Sequence, residues 1–279
     1  MCWEDGRRIK SNSNMHIDEK TSQKEINTVW QKEWNRDIET DPDAFFGQRL
    51  FVEGYSVFKK YISEKPGQKI LDIGSGTGRF GVKFAQDFPE SNIIITDILE
   101  ESLFVGKKLA DYLDVKNVLF KKEDVLCMSF PDNFCDVVFC DVVIQHIPNY
   151  PQAVKEMKRV LKPGGRMIVA NLNYWNFHSL HKFILKILNQ PYEYGFEKNF
   201  TKKEMRDLMQ TNDLQIIAED GFYPAYGVYR LKNIYSKFAW FYSFFGKTIN
   251  RLTKLFDIFT NRYISKNFGI EIIIVAEKK

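Results

Sequence analysis

The amino-acid sequence predicts an α/β fold with a doubly wound, seven-stranded, mostly parallel sheet, N-terminal helices and a helical insert before the last strand. Two observations carry this prediction. Between residues 69 and 171, short apolar runs alternate with amphipathic segments long enough to be helices, the pattern that parallel β-α-β crossovers require. Two later apolar runs, 214–218 and 270–276, supply the sixth and seventh strands.

Each predicted element has a local signal. Residues 23–62 carry scattered aromatic anchors and are predicted to be helical, with a break at Asp41-Pro42-Asp43, where a new helix can start. Lys162-Pro163-Gly164-Gly165 is predicted to be a turn before the fifth strand. The predicted strands are 69–73, 93–97, 117–121, 135–140, 166–171, 214–218 and 270–276. The predicted helices between the first five strands are 78–87, 99–113 and 150–161.

These elements suggest five parts of the chain. They are a disordered tail at 1–22, a helical cap at 23–66, a ligand-binding core at 67–227, a basic aromatic insert at 228–268 and the last core strand at 269–279. Residues 1–20 are polar and lack the apolar centre of a secretory signal, so a cytoplasmic location is expected. No run of 18 apolar residues predicts a membrane span.

Charge and composition exclude little by themselves. The formal net charge of +4 is too small to indicate a nucleic-acid partner. The four cysteines lack the paired spacing of a zinc site or a redox dithiol. His178 and His181 have the spacing of metal ligands, but no third ligand is apparent, so no metal site is predicted.

The most informative segment is the turn after the first strand, Asp72-Ile73-Gly74-Ser75-Gly76-Thr77-Gly78-Arg79-Phe80. Alternate glycines leave the backbone bare for a ligand. A dinucleotide fingerprint, Gly-x-Gly-x-x-Gly, would place a glycine where this chain has Arg79. The loop therefore favours a nucleoside ligand without a pyrophosphate, which disfavours a nicotinamide-dependent dehydrogenase.

This segment resembles the first motif of the class I S-adenosylmethionine (SAM) dependent methyltransferases of the small-molecule type, similar to the quinone-biosynthesis branch. Matching segments follow the second, third and fourth strands and precede the fifth, and the resemblance covers residues 69–172. It implies a Rossmann-like methyltransferase fold and S-adenosyl-L-methionine as cofactor.

The resemblance also implies roles for individual residues. The glycine turn would cradle the methionine part, with Asp72 near its amino group. Asp97 would accept the ribose hydroxyls, although a helix cap is the alternative explanation for this acid. Asp124 would bind the adenine amino group, with solvated charge as its alternative. The cofactor-binding residues that the resemblance implies are Asp72, Gly74, Ser75, Gly76, Gly78, Asp97, Ile98, Asp124, Val125, Cys140 and Asp141.

A general base is needed only if the acceptor arrives protonated, and a histidine suits a hydroxyl acceptor. His146 is the candidate because it follows the fourth strand on the expected substrate side. The alternative is a histidine packed in a turn. His178 and His181 are further candidates. Quinone-branch relatives often carry glutamate where this chain has Gln145, so no role of that carboxylate is transferred here.

The insert at 228–268 holds eight basic residues and one acid. Its aromatic and aliphatic residues recur at spacings of three and four, as in an amphipathic helix or helix pair that Gly246 would divide. Three interpretations stay open: a cap packed on the domain, a membrane-surface helix that takes a lipid-like acceptor, or a nucleic-acid contact.

The sequence as a whole favours a SAM-dependent methyltransferase acting on a small organic acceptor, lipid-like molecules included, at oxygen rather than carbon or nitrogen. A catalytically silent SAM-binding scaffold is one alternative. A protein or nucleic-acid methyltransferase is another, disfavoured because no Asn-Pro-Pro-aromatic motif follows the fourth strand. No nucleic-acid partner is expected. The acceptor and the oligomeric state are left open.

Overall fold

The structure is a computed structural model of the chain. It describes residues 23–37, 41–189, 192, 196–226, 228, 236–259 and 262–279. The tail predicted at 1–22 lies outside the described residues.

The described residues form a sheet flanked by helices. Its strands are β1 (Lys69–Ile73), β2 (Asn92–Asp97), β3 (Val118–Lys122), β4 (Cys135–Asp141), β5 (Leu161–Leu172), β6 (Leu214–Asp220) and β7 (Glu271–Lys278). The helices are α1 (Gln23–Asp37), α2 (Pro42–Phe46), α3 (Arg49–Phe58), α4 (Arg79–Asp87), α5 (Glu100–Tyr112), α6 (Tyr150–Val160), α7 (Phe177–Ile187), α8 (Lys202–Gln210), α9 (Ser236–Phe259) and α10 (Arg262–Phe268). Short 3₁₀ turns occupy Lys59–Tyr61 and Ile144–His146.

The strand order is β3-β2-β1-β4-β5-β7-β6. Strands β1 to β5 pair in parallel, whereas β7 runs antiparallel to both β5 and β6. The predicted doubly wound, mostly parallel seven-stranded sheet is therefore confirmed. The chain order reverses between β1 and β4, and in such sheets ligands bind at this switch point, outside the carboxyl ends of the strands.

Two apolar clusters hold the sheet between its helices. Neighbouring residues of β1 point to opposite faces, so Ile70 belongs to one cluster and Leu71 to the other. The first cluster is rich in aromatic residues, among them Phe58, Phe84 and Phe139, whose rings pack edge to face. Because both faces are covered, the strands are almost continuously apolar, as the sequence pattern requires.

The N-terminal segment breaks where the sequence predicts. Pro42 lies in the first turn of α2, and the Asp41 side chain accepts a hydrogen bond from the backbone N–H of Asp43. Helix α1 packs against α5, where Gln31 donates a hydrogen bond of 2.6 Å to Glu101. These contacts bring α1 beside the carboxyl edge of the sheet.

Two local predictions are wrong. Strand β5 already begins at Leu161, so the predicted turn at 162–165 lies within the strand. Gly164 has a φ of 71°, and the pairing of β4 with β5 shifts between Cys135 and Val137, so a strand irregularity takes the place of a turn. Helix α9 continues through Gly246, since one glycine costs a helix only about 1 kcal/mol.

No helix among the described residues has the length and apolar character to cross a membrane.

Candidate active site

A cavity of about 480 Å³ lies at the carboxyl edge of the sheet, a size usual for small-molecule sites. The strand ends form one wall, helices α1 and α2 another, and residues that follow β5 a third. The predicted cofactor residues that border it are Asp72, Gly74, Ser75, Gly76, Asp97, Ile98, Asp124, Val125 and Asp141. The predicted base His146 borders it as well.

The glycine turn has the backbone that only glycine adopts readily. Gly74, Gly76 and Gly78 have φ values of 61°, 55° and 69°, all left-handed. A Cβ on Gly74 would lie 2.5 Å from a methyl carbon of Val143, so this position has no room for a side chain. The turn therefore presents bare backbone to the cavity.

The Asp97 carboxylate ties this turn to the end of β2. One oxygen accepts a hydrogen bond from the Gly76 N–H and the other from the Leu99 N–H, each at 2.9 Å. Burial raises the pKa of Asp97, and these two backbone donors oppose the rise. Asp97 does not cap α5, because the N-cap of this helix is Leu99 and no side chain caps it, whereas the Asp97 carboxylate borders the cavity.

Three further acids border the cavity, of which Asp72 and Glu271 are buried and Asp141 is half-buried. Burial and the negative charge of Asp141 raise the pKa of Asp72 well above its usual range, although Asp72 accepts a hydrogen bond from Gly81. Burial likewise raises the pKa of Asp141 to about 6, and that of its hydrogen-bonded neighbour Glu271 well above normal. Within the described part of the chain, Oδ1 of Asp141 and Oε2 of Glu271 are buried without a hydrogen-bond partner.

The predicted adenine end is more open. Asp124 is exposed, and its carboxylate accepts a hydrogen bond from the Leu126 N–H at 2.9 Å. Its neighbour Glu123 is buried, and its carboxylate forms an ion pair with Lys121 and accepts a hydrogen bond from the Ser129 N–H. Asp124 is thus the more accessible of the two acids to a ligand. Its exposure also fits the alternative explanation, that it is a solvated surface charge with no ligand.

Two of the predicted cofactor residues do not border the cavity. Cys140 is fully buried in an apolar cluster, and burial raises the pKa of its thiol. Its side chain shares the sheet face of Val138, since alternate residues of a strand point to the same side. Gly78 precedes α4, and a Cβ there would lie 3.1 Å from Gly106, so it permits close packing of α4 and α5.

His146 lies in the 3₁₀ turn after β4, with both ring nitrogens engaged. Its Nδ1 lies 3.0 Å from the carbonyl oxygen of Phe196, and its Nε2 lies 3.2 Å from the Gln145 amide nitrogen. Burial lowers the pKa of His146, and Glu197, whose Oε2 is 3.9 Å from Nε2, partly opposes this. The neutral ring packs against Trp30, with ring centroids 4.8 Å apart.

A second histidine borders the cavity close by. His178 lies in the first turn of α7, and its Nε2 is 3.5 Å from Oε1 of Glu197 and 3.2 Å from the hydroxyl of Tyr192. Burial alone would raise the pKa of Glu197, but His178, Lys182 and His146 lower it below the usual range. His181 is also buried, but it does not border the cavity.

The sequence did not single out several cavity residues. Trp30 and Trp34 stack 5.4 Å apart on α1, and a Cβ on Gly76 would lie 2.9 Å from the Trp34 ring. Their spacing of four residues was the available signal, because it puts both rings on one helix face. Glu197 and Glu271 had none, since each is an ordinary acid in sequence and becomes notable only through burial.

The doubly wound sheet, with a glycine turn after β1 and an acid at the end of β2, is the fold of the class I SAM-dependent methyltransferases. Residues 64–221, more than half of the chain, match a family model described as a methyltransferase domain. The chain therefore belongs to the methyltransferase-domain family, which confirms the resemblance seen in its motifs.

Relatives and solved structures agree with this assignment. The ubiquinone/menaquinone biosynthesis C-methyltransferase of Vibrio cholerae is 33% identical over 146 residues, 47% of this chain and 56% of the relative. The chain thus spans about half the length of the curated relatives it matches.

Two solved structures share the fold. A Haemonchus contortus phosphoethanolamine N-methyltransferase 2, in complex with phosphomonomethylethanolamine and S-adenosylhomocysteine, aligns with a TM-score of 0.62 at 18% identity, covering 91% of this chain and 60% of that one. The YcgJ protein of Bacillus subtilis aligns with a TM-score of 0.54 at 20% identity, covering 81% and 98%.

Proposed function

We propose that this protein transfers a methyl group from S-adenosyl-L-methionine to a small organic acceptor, at oxygen in preference to carbon or nitrogen. One observation supports this most. A single cavity joins the glycine turn and the Asp97 carboxylate at one side to buried histidines at the other. A donor site and an acceptor site then share one cavity, which methyl transfer requires.

The residues at the strand ends suit the donor. Each Asp97 oxygen accepts one backbone hydrogen bond and keeps acceptor capacity, so the carboxylate can bind two adjacent ribose hydroxyls. Ile98 and Val125 offer apolar surface to a flat base. Bound there, S-adenosylmethionine supplies an electrophilic methyl group on a sulfonium.

The protein contributes by aligning the acceptor with the methyl group and by excluding water. These two effects can supply most of the rate enhancement in a direct displacement. Trp30 and Trp34 stand over the histidine and glycine sides of the cavity, respectively. With these rings in place, the reacting groups are shielded from solvent on the side of α1.

Carbon methylation is the second candidate, because the Vibrio cholerae relative bears the name of a C-methyltransferase. A catalytically silent scaffold is the third. Incubating the protein with methyl-labelled donor and a cell extract separates them. A labelled ether supports oxygen transfer, a labelled carbon supports the second candidate, and donor binding without labelling supports the scaffold.

The donor site is tested by Asp97→Ala. Losing hydrogen bonds from two ribose hydroxyls to a charged acceptor should weaken S-adenosylhomocysteine binding at least about 100-fold. Isothermal titration calorimetry measures this. Asp111→Ala, an exposed acid on the neighbouring helix α5, is the matched control and should bind normally.

Asp97 also holds the Gly76 and Leu99 amides, so Asp97→Asn serves as a milder second variant. Thermal unfolding of each variant shows whether it folds. A folded Asp97→Ala variant with the wild-type dissociation constant would refute the proposed donor site.

Peripheral membrane contact through the insert is a further part of the proposal. None of its described residues borders the cavity, and two of its described aromatic side chains are largely exposed, Phe259 at 82% and Tyr263 at 71%. Exposed basic residues such as Lys247 and Arg251 lie on the same helix, α9. An exposed apolar face with basic neighbours suits an anionic bilayer surface.

Cosedimentation with vesicles of phosphatidylcholine and phosphatidylglycerol tests this contact. We expect binding at low salt that falls with added salt, and a several-fold loss in a Phe256→Ser/Phe259→Ser double variant. Val52→Ser, an exposed apolar residue on α3, is the control and should bind like wild type. Failure of the wild-type protein to cosediment at low salt would remove the membrane contact from the proposal.

A further inference from the structure

The arrangement around His178 determines which ring nitrogen carries hydrogen. Its Nε2 faces Oε1 of Glu197 at 3.5 Å and the Tyr192 oxygen at 3.2 Å. An ionised carboxylate only accepts hydrogen bonds. The Tyr192 hydroxyl donates its own hydrogen to Oε1 of Glu197 at 2.9 Å. The Tyr192 oxygen can therefore only accept a hydrogen bond from His178. Both neighbours of Nε2 therefore require a hydrogen on Nε2.

In the neutral ring, Nδ1 of His178 must then carry the lone pair. Across the described residues this nitrogen has no hydrogen-bond partner, although it is buried. His178 itself is only 4% exposed and borders the cavity. A buried acceptor without a partner is costly unless something satisfies it, so Nδ1 suits a donor group on a ligand.

Glu197 is held in its ionised state by a lysine. Lys182 directs its ammonium to Oε1 of Glu197 at 2.7 Å, to the Glu197 carbonyl at 2.8 Å and to the Asn199 side-chain oxygen at 2.8 Å. Three acceptors match the three donors of an ammonium. The carboxylate is thus fixed in position and charge, and it orients the His178 ring.

His146 lacks a comparable free nitrogen. Since the Phe196 carbonyl accepts from Nδ1, the lone pair of His146 lies on Nε2, and the Gln145 amide donates to it. The ring is therefore engaged at both ends, while Trp30 packs against it. The geometry favours His178 as the proton acceptor and gives His146 a packing role.

We propose that His178 is the general base of the methyl transfer and that Glu197 and Lys182 are its positioning residues. This rests on the proposed function above. The acceptor then carries an ionisable hydroxyl, a phenol or an enol, rather than an amine. The aromatic residues Trp30, Tyr192 and Tyr226 around the cavity suit a flat acceptor ring.

The acceptor O–H bond breaks and its proton passes to Nδ1 of His178, while the oxygen forms a bond to the methyl carbon. The carbon–sulfur bond breaks and its electron pair stays on sulfur, leaving S-adenosylhomocysteine. The imidazolium is stabilised by Glu197 and later loses its proton to solvent.

The experiment uses 4-nitrocatechol, a phenol whose ionised form absorbs at longer wavelength, with the whole 279-residue chain and saturating S-adenosylhomocysteine. We expect the wild-type complex to bind the probe and ionise it at a pH about one unit below that of the free probe, a roughly tenfold shift in its ionisation equilibrium. His178→Gln should bind within about threefold but lose the ionisation shift.

The titratable groups that face His178 are Glu197, Tyr192 and Tyr226, and Lys182 and His146 act on the same Glu197 carboxylate. Glu197→Gln keeps His178 but removes the charge that stabilises its protonated form, so it should reduce the shift and move the pH profile of turnover. His146→Gln should keep the shift. This pattern separates a base from a residue with only a structural role.

The outcomes distinguish the two proposals. If the wild-type protein binds S-adenosylhomocysteine but leaves the probe un-ionised or unbound, the base assignment is wrong while the donor site stands. If His178→Gln ionises the probe as wild type does, the assignment is also wrong. If S-adenosylhomocysteine fails to bind to wild type, the proposed function fails and the base assignment with it.

Discussion

The two ends of the cavity are built in different ways. At the glycine end, one short stretch of chain and the Asp97 carboxylate are joined by bonds to backbone amides. At the histidine end, a side chain of α1 packs on His146 in the turn after β4, and side chains of α7 contact Glu197 further along the chain. The first depends on backbone conformation and the second on side chains meeting in space. A glycine-end substitution should therefore disturb the site more than the loss of one histidine-end side chain.

The largest expected effect comes from Gly74→Ala. The residue has a φ of 61°, and a Cβ would lie 2.5 Å from Val143, so the turn must move. We expect S-adenosylhomocysteine affinity, measured by calorimetry, to fall more than about 100-fold. This corresponds to about 3 kcal/mol.

Gly67→Ala is the matched control. Gly67 also has a left-handed φ, 71°, but nothing lies within 4 Å of a Cβ there. It should lose about 1–2 kcal/mol of unfolding free energy, the conformational cost alone, and bind normally. Equal binding losses in the two variants would contradict a special role for the Gly74 turn.

A smaller effect is expected from Glu271→Gln, at the start of β7. The raised pKa values of Glu271 and of Asp141, the latter about 6, mean that the folded protein keeps protons that the unfolded chain releases at lower pH. The stability this contributes is present below pH 4 and is lost as the pH rises through the folded-state values. The amide cannot ionise, so the variant's stability should depend less on pH.

Thermal unfolding of the ligand-free protein between pH 5 and pH 8 measures this. The melting temperature of Glu271→Gln relative to wild type should be higher at pH 8 than at pH 5. The same difference at both pH values would show that Glu271 does not gain a proton on folding. Because both carboxyls lie at the cavity rather than in the apolar clusters, the fold itself should tolerate the change.

The difference between the glycine end and the histidine end explains which features could be predicted from the sequence. Strand and helix order could be predicted because buried parallel strands leave apolar runs, and the turn at Gly74 because few other residues accept its backbone. Asp97 could be found because it ends a strand. Cys140 does not border the cavity, since the alternation of β4 turns its side chain into the core, and its role in cofactor binding stays a prediction.

The histidine end shows why the rest could not be predicted. His178 was named only as a further candidate, because nothing in its neighbourhood in sequence reveals Glu197, nineteen residues later, or the missing partner of Nδ1. Glu197 lies outside any helix or strand, so no periodic pattern in the sequence could predict where its side chain would lie. Likewise β5 begins five residues early because pairing with β4 overrides the turn preference of its proline and glycines.

The Asp141–Glu271 pair carries a consequence for turnover. A cationic ligand beside two acids that hold protons favours their ionised form, so its arrival expels a proton and its affinity grows with pH. The donor bears a sulfonium charge that the spent product has lost. If the donor binds with its sulfonium beside this pair, as the proposed function expects, the protein should hold S-adenosylmethionine more tightly than S-adenosylhomocysteine, and the difference should grow as the pH rises.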